Sequence, residues 1–160
     1  MDLILWRHAE ALEMREVQDD LERALTSKGE RQAQRMAGWL NRHLPSSTRV
    51  MASPARRCQQ TAAALDRRFK TVAALAPDGT VEGLLHSVRW PEAREPVLVV
   101  GHQPTLGLTA AYLLSAQSLA WTVRKGAVWW LRAREREGQL QVLLHAVIAP
   151  EMVAGGRGDD

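Results

Sequence analysis

The sequence predicts an α/β fold, a three-layer α/β/α sandwich with a mainly parallel central sheet and an antiparallel C-terminal hairpin. Short apolar runs alternate with amphipathic segments over the first two thirds of the chain. Because parallel neighbours need a crossover connection, this alternation predicts helices on both faces of the sheet. With 160 residues, 46% of them hydrophobic, the chain suits one domain. We predict a single domain over residues 1–150 and a disordered tail over residues 151–160.

The chain opens with a predicted buried strand. The apolar run at residues 3–6 has the length of such a strand. Residues 11–26 are densely charged, with apolar residues at spacings of three and four, and are expected to pass over the end of that strand as an irregular excursion. Ser27 and Glu30 match a capping box, which predicts a helix over residues 28–43.

The middle of the chain repeats the alternation in shorter pieces. An apolar run at residues 50–52 predicts a strand, and the Ser-Pro pair behind it predicts a helix capped by Ser53 that runs from about Pro54 to about residue 69. A third short strand is expected at residues 71–75, before a Pro-Asp-Gly turn. A short helix is expected over residues 81–88.

The last third contains the clearest strand and then the hairpin. Residues 97–100 are four consecutive branched apolar residues, typical of a fully buried strand, and a helix is expected from there to Leu114. Two β-rich runs at residues 127–134 and 139–147 flank Glu137-Gly138, which predicts an antiparallel hairpin.

Charge and cysteine content exclude several classes of protein. The formal charge is +3, from 21 basic and 18 acidic residues, so no nucleic-acid partner is expected. Cys58 is the sole cysteine, which excludes an internal disulfide and favours a reducing, cytoplasmic setting; its thiol is read as a small packing group. The first apolar run is too short for a signal peptide or a membrane span. We expect no membrane association, no cofactor and no metal.

Three predicted strands end in polar residues suited to anion chemistry. Arg7 and His8 follow the first strand, Arg57 lies just behind the second, and His102 follows the buried strand at residues 97–100. Ligands of such sheets bind beyond the carboxyl ends of the strands, so these side chains are expected to converge. Arginine offers a forked cationic donor, and imidazole can act as nucleophile, acid or base near neutral pH.

This set favours phosphoryl transfer through a covalent histidine intermediate. The arginines and a helix N-terminus would bind the phosphoryl group, His8 would attack phosphorus, and His102 would donate to the phosphoryl oxygens. A cysteine-dependent phosphatase is excluded because Ala64, rather than an arginine, stands six residues after Cys58. The chain also lacks a nucleotide-binding GxxxxGK[ST] loop, and no aspartate adjoins either histidine in sequence to suggest a two-metal site.

Four ordered motifs resemble those of the histidine phosphatase superfamily. They are RHAE at residues 7–10, LTSKG at residues 25–29, SPARRCQQT at residues 53–61 and GHQP at residues 101–104. The small size and the RALT stretch at residues 23–26 resemble the SixA-type phosphohistidine phosphatases. The resemblance implies a phosphoglycerate mutase-like fold. It also implies that His8 is the phosphorylated nucleophile, that Arg7, Arg57 and His102 form the phosphate pocket, and that Arg23 is a further basic residue near its mouth.

In none of the four motifs does the resemblance assign a proton donor for the leaving group. Mutase-type and acid phosphatase-type relatives carry a carboxylate in a larger insertion, which this chain is too short to hold; Glu82 is the candidate that remains. A phosphohistidine substrate has a good leaving group once its imidazole is protonated. We therefore predict a phosphohistidine phosphatase that acts on a protein of a signalling relay, with a monomer favoured. A small-molecule phosphomonoesterase and a non-catalytic phosphoprotein-binding module are the alternatives.

Overall fold

A computed structural model describes residues 1–155 of the chain. Its centre is a six-stranded sheet in the order β3-β2-β4-β1-β5-β6. The strands are β1 (Asp2–Arg7), β2 (Arg49–Ala52), β3 (Lys70–Thr71), β4 (Val97–Gly101), β5 (Val128–Arg136) and β6 (Gln139–Ile148). Strands β3, β2, β4 and β1 pair in parallel, whereas β5 pairs antiparallel with both β1 and β6. The predicted mixed sheet with a C-terminal hairpin is therefore confirmed.

Four α-helices cover the two faces of the sheet. They are α1 (Ser27–His43), α2 (Arg56–Ala63), α3 (Val81–Val88) and α4 (Thr105–Ser115). Side chains alternate across β1: Ile4 and Trp6 pack with α1 and α2, while Leu3 and Leu5 pack with α3 and α4. The two core layers on either side of the sheet make up the predicted three-layer sandwich. None of the described helices is long and apolar enough to cross a membrane.

Local details of two predicted helices are wrong. Thr26, rather than Ser27, is the N-cap of α1, and its hydroxyl accepts from the Gly29 amide. Helix α2 begins at Arg56 instead of about Pro54 and ends at Ala63 instead of about residue 69. The Ser53 hydroxyl does not cap that helix, because it points into the candidate site described below.

The third strand and the tail also differ from expectation. Strand β3 has two residues, since this edge strand pairs only with the end of β2, and residues 73–75 form a 3-10 turn. The predicted disordered tail, residues 151–160, is ordered at its start. Pro150–Met152 form a 3-10 turn, and Val153 is buried in the core beside α1 and α2. The remainder of that prediction, over residues 156–160, lies outside the described residues.

Candidate active site

The carboxyl ends of three adjacent parallel strands bring the predicted site residues together. Strand β4 lies between β2 and β1 in the sheet. The His8 amide donates to the Gly101 carbonyl at 3.1 Å, and the Ser53 amide donates to the Val100 carbonyl at 3.1 Å. These bonds extend the parallel ladders by one step beyond the strands. The residues that follow β1, β2 and β4 are therefore fixed relative to one another by backbone hydrogen bonds.

A small cavity of about 170 Å³ opens at this edge. Its lining residues are Arg7, His8, Ala11, Arg23, Arg57, Pro77, His102, Gln103 and Lys125. Two larger grooves of about 500 and 560 Å³ run beside α1, and none of the four predicted catalytic residues lines either of them. We take the smaller cavity as the site because it alone among these three holds the convergent cationic and imidazole groups.

His8 is held as a neutral imidazole with one nitrogen available. Its side chain lies in the cavity wall, and the residue is only 7% exposed. Nδ1 lies 2.8 Å from the carbonyl oxygen of Ala9, which can only accept, so Nδ1 carries the proton and Nε2 has the lone pair. Burial, aided by the positive charges of Arg57 and Arg7, lowers the pKa of His8 to about 3. The ring can therefore act as a nucleophile at neutral pH.

Two guanidinium groups line the same cavity, the buried one of Arg57 and the half-buried one of Arg7. Arg57 is 3% exposed, whereas the neighbouring Arg56 is exposed to solvent. One terminal nitrogen of Arg7 donates to the Val123 carbonyl at 2.9 Å. The Nε atoms of Arg7 and Arg57 are buried and have no hydrogen-bond partner within the described structure. Such orphaned cationic donors fit a site that binds an oxyanion.

His102 completes the cavity opposite His8. The two rings lie 5.3 Å apart between centroids. Nε2 of His102 lies 2.7 Å from the oxygen of the Ser53 hydroxyl. That oxygen accepts from the Ala55 amide at 3.1 Å, so its proton is available to Nε2. Its Nδ1 lies 3.4 Å from a terminal nitrogen of Arg57. Burial first, and then the charge of Arg57, lowers the pKa of His102 to about 4.

The second helix couples the two halves of the site. The Thr61 hydroxyl donates to the carbonyl oxygen of Arg57 at 2.7 Å and accepts from the Ala9 amide at 3.2 Å. It thereby ties the backbone that presents Arg57 to the backbone that follows His8. Cys58 is buried in the same turn, and burial raises the pKa of its thiol to about 12, so it is an unreactive packing group.

The two remaining candidates, Arg23 and Glu82, differ in where they lie. Arg23 lines the cavity, as predicted for a basic residue near the mouth, and donates to Asp20 at 2.9 Å. Glu82 is not among the cavity residues: it lies on α3 and lines a separate groove with Leu85 and Tyr112. The structure therefore does not bring Glu82 to the other predicted site residues.

Asp20 lies beside the cavity and was not predicted from the sequence to belong to the site. It lies in a 3-10 turn (Asp20–Glu22) of the charged excursion, where it is one of several acidic residues. Its carboxylate contacts Arg57 at 3.1 Å, so an aspartate does approach this edge, contrary to the expectation from sequence. Nothing local in the sequence distinguishes Asp20 from Asp19, so the sequence carries no signal for this contact. Within residues 1–155, no group of three or more His, Cys, Asp or Glu side chains is arranged to hold a metal ion.

Comparisons with known proteins agree with this geometry. The family model of the histidine phosphatase superfamily (branch 1) matches residues 3–78. An uncharacterised protein of Picosynechococcus sp. is 33% identical over 125 residues, which span 74% of this chain and 76% of that protein. A structure from Nakamurella multipartitia that has been assigned as a SixA phosphohistidine phosphatase is 28% identical, with a TM-score of 0.77, and the match covers 93% of this chain and 95% of the other.

More distant structures show the breadth of the fold. The protein histidine phosphatase SixA in complex with tungstate is 23% identical, with a TM-score of 0.79, over 94% of this chain and 97% of the other. A phosphoserine phosphatase from Entamoeba histolytica is 16% identical, with a TM-score of 0.69, over 96% of this chain and 99% of the other. At these identities the likeness establishes the fold alone. With the family model, the 28% identical SixA-assigned structure and the four ordered motifs in agreement, the chain belongs to the histidine phosphatase superfamily and has a SixA-like, phosphoglycerate mutase-like fold.

Proposed function

We propose that this protein removes phosphoryl groups from phosphohistidine on a protein, through a covalent intermediate on His8. One observation carries the proposal above all: a neutral imidazole, with its Nδ1 bonded to the Ala9 carbonyl, lies in a small cavity with the buried Arg57 and the half-buried Arg7. An oriented imidazole lone pair is what attack on phosphorus requires. The arginines supply the charge that stabilises the equatorial phosphoryl oxygens.

The proposed reaction has two steps. Nε2 of His8 attacks phosphorus, the P–N bond to the substrate imidazole breaks, and the bonding electron pair leaves with that imidazole, which is protonated. Water then attacks the phosphoryl group on His8, the new P–N bond breaks, and inorganic phosphate leaves while Nε2 regains its lone pair. His102 faces the phosphoryl group across the cavity, with its other nitrogen bonded to Ser53, and donates to an oxygen as negative charge grows there.

The ionisation state of Asp20, which contacts the cavity residues Arg57 and Arg23, favours a substrate whose leaving group needs no strong acid. Burial acts to raise the pKa of Asp20, but the charges and hydrogen bonds of Arg57 and Arg23 outweigh it and lower that pKa. Asp20 is therefore ionised at neutral pH and a poor proton donor to an alkoxide. A protonated imidazole leaves without such help. Phosphohistidine thus suits the site better than an alkyl phosphate ester does.

The small cavity supports a macromolecular substrate. A volume of about 170 Å³ accommodates a phosphoryl group and a ring, and little else of a substrate. The rest of the substrate must lie outside it. A side chain that protrudes from the surface of a phosphoprotein meets this condition, and a phosphotransfer domain presents its histidine in that way.

The test of the proposed function compares phosphoryl donors that differ in their leaving group. The purified protein is offered a phosphohistidine-bearing phosphotransfer domain, an aryl phosphate and phosphoserine, without added metal. We expect phosphate release to fall in that order. Equal efficiency on all three would favour the second candidate, a small-molecule phosphomonoesterase.

The covalent step has its own test. Denaturing, alkaline quenching within the first turnover should trap an acid-labile phosphoryl group on the wild-type protein and none on His8→Ala. His86→Ala, which replaces an exposed histidine of α3, is the matched control and should still be labelled. Full turnover by His8→Ala would rule out the covalent route. Tight phosphoprotein binding without any release would identify the chain as a binding module instead.

A further inference from the structure

We infer that Asp20 is a specificity residue whose carboxylate holds the phosphate-binding donors of Arg57 and Arg23 until a doubly charged phosphoryl group displaces it. The inference rests on the proposed function, because it concerns the same cavity. It adds a role for the charged excursion between β1 and α1. It also makes an unusual prediction, namely that removal of a charged residue at the site strengthens oxyanion binding.

Asp20 uses both terminal nitrogens of Arg57. Nη1 donates to the backbone carbonyl of Asp20 at 2.8 Å, and Nη2 donates to the carboxylate oxygen Oδ2 at 3.1 Å. Nη2 is also the atom that lies 3.4 Å from His102, so it points into the cavity. The carboxylate therefore bonds to a donor that a bound phosphoryl oxygen would need.

The second carboxylate oxygen contacts the other arginine at the mouth. Oδ1 accepts from Nε of Arg23 at 2.9 Å, and Arg23 is itself held by the Leu12 carbonyl at 2.9 Å. One carboxylate thus bridges two arginines that both line the cavity. This is the arrangement expected of two oxygens of a bound phosphate, and Asp20 reproduces it with a single negative charge.

The exposed fractions of the two side chains indicate whether Asp20 or Arg57 moves when an anion binds. Arg57 is 3% exposed and comes from a packed helix, whereas the side chain of Asp20 is 42% exposed on a three-residue 3-10 turn. No residue of that turn is buried. Rotation of the Asp20 side chain toward solvent therefore costs little packing, while movement of Arg57 would disrupt the core around α2. We assign the movement to Asp20.

Displacement of the Asp20 carboxylate by a bound anion makes the site selective for dianions. An incoming dianion offers more charge to the two guanidinium groups than the resident carboxylate and replaces it, whereas a singly charged anion gains little from the exchange. The backbone bond from Arg57 to the Asp20 carbonyl does not depend on the carboxylate, so it keeps the turn in place throughout. Asp20 would in this way reject abundant monoanions without blocking phosphoryl groups.

Calorimetric titration with inorganic phosphate and with tungstate tests the inference. Asp20→Asn and Asp20→Ala are compared with the wild-type protein and with Glu22→Gln, which removes the same charge from the same exposed turn. Because a partly exposed ion pair must be broken on binding only in the wild type, we expect both Asp20 variants to bind about fivefold more tightly. Glu22→Gln should bind like the wild type.

Each other outcome contradicts a defined part of the reasoning. If the wild type binds phosphate and the Asp20 variants bind equally or more weakly, Asp20 positions Arg57 rather than competing for it, and the inference is wrong while the proposed function stands. If Glu22→Gln tightens binding as much as Asp20→Asn, the effect is general electrostatics and the inference is also wrong. Absence of binding by all four proteins would overturn both the inference and the proposed function.

Discussion

Acidification from pH 7 to pH 5 is expected to destabilise the fold by about 4 kcal/mol through His8 and His102. The ordinary pKa of a histidine side chain is 6.5, and burial lowers the folded-state values to about 3 for His8 and about 4 for His102. The unfolded chain therefore binds two more protons than the folded protein over this interval. Stability is fully present above pH 6.5 and is lost as the pH falls toward the folded-state pKa values.

The magnitude follows from the titration of the unfolded chain. A histidine that stays neutral in the folded protein costs about 1.4 kcal/mol per pH unit once the unfolded form is protonated. Between pH 7 and pH 5 this amounts to about 2 kcal/mol for each of the two rings. Asp2 and Asp20, whose pKa values are lowered below 3.8, contribute only at more acidic pH.

Urea unfolding followed by tryptophan fluorescence measures the effect, since the chain has six tryptophans. The free energy of unfolding is determined at steps from pH 7 to pH 5 for the wild type, His8→Asn, His102→Asn and His86→Asn. Each active-site variant should lose about half of the pH dependence. The exposed His86 variant should retain all of it. A wild-type free energy that stays constant across the interval would refute the burial of two neutral imidazoles.

Three further predictions concern single positions. Arg57→Lys should lower kcat/KM for the phosphohistidine donor by about 100-fold, because a lysine ammonium cannot present the forked donors, while Arg56→Lys on the exposed face should retain activity. Gly29→Ala should destabilise the fold by about 2 kcal/mol in urea unfolding, because its Cβ would overlap a carbonyl oxygen of the loop after β1; Gly38→Ala on the same helix, where the nearest atom lies 3.6 Å away, should not. The Cys58 thiol should resist a disulfide reagent in the folded protein and react after unfolding, since burial raises its pKa to about 12, and rapid labelling of the native protein would contradict the packing around it.

The choice between two adjacent arginines illustrates how far sequence reasoning reached. The family resemblance assigned the phosphate-pocket role to Arg57, and the structure buries Arg57 in the cavity wall while Arg56 faces solvent. A helix explains the difference, because consecutive residues point about 100° apart and only one of them can face the sheet edge. The catalytic roles remain predictions, but the convergence of Arg7, His8, Arg57 and His102 is a feature of the fold.

The ends of the helices and their N-cap residues were harder to predict from the sequence. Ser27 and Thr26 are both good caps, and which of them caps α1 depends on the chain entry: the Thr26 amide bonds to the Glu10 carbonyl at 3.0 Å. Ser53 had the local features of a helix cap, yet its hydroxyl bonds to His102, which lies 49 residues further along the chain. Competition between local and distant partners for one hydroxyl leaves no trace in a sequence window.

The alternation of strands and helices and the C-terminal hairpin could be predicted from the sequence, because periodicity is a local property. The position of two arginines and two histidines at strand ends could be predicted for the same reason. The charge state of the two histidines and the contact with Asp20 depend on the tertiary structure. Neutral histidines follow from burial beneath neighbouring elements, and the bridge from Asp20 to Arg57 joins residues 37 positions apart. Desolvation and long-range ion pairs depend on distances through space, which residue spacing along the chain does not encode.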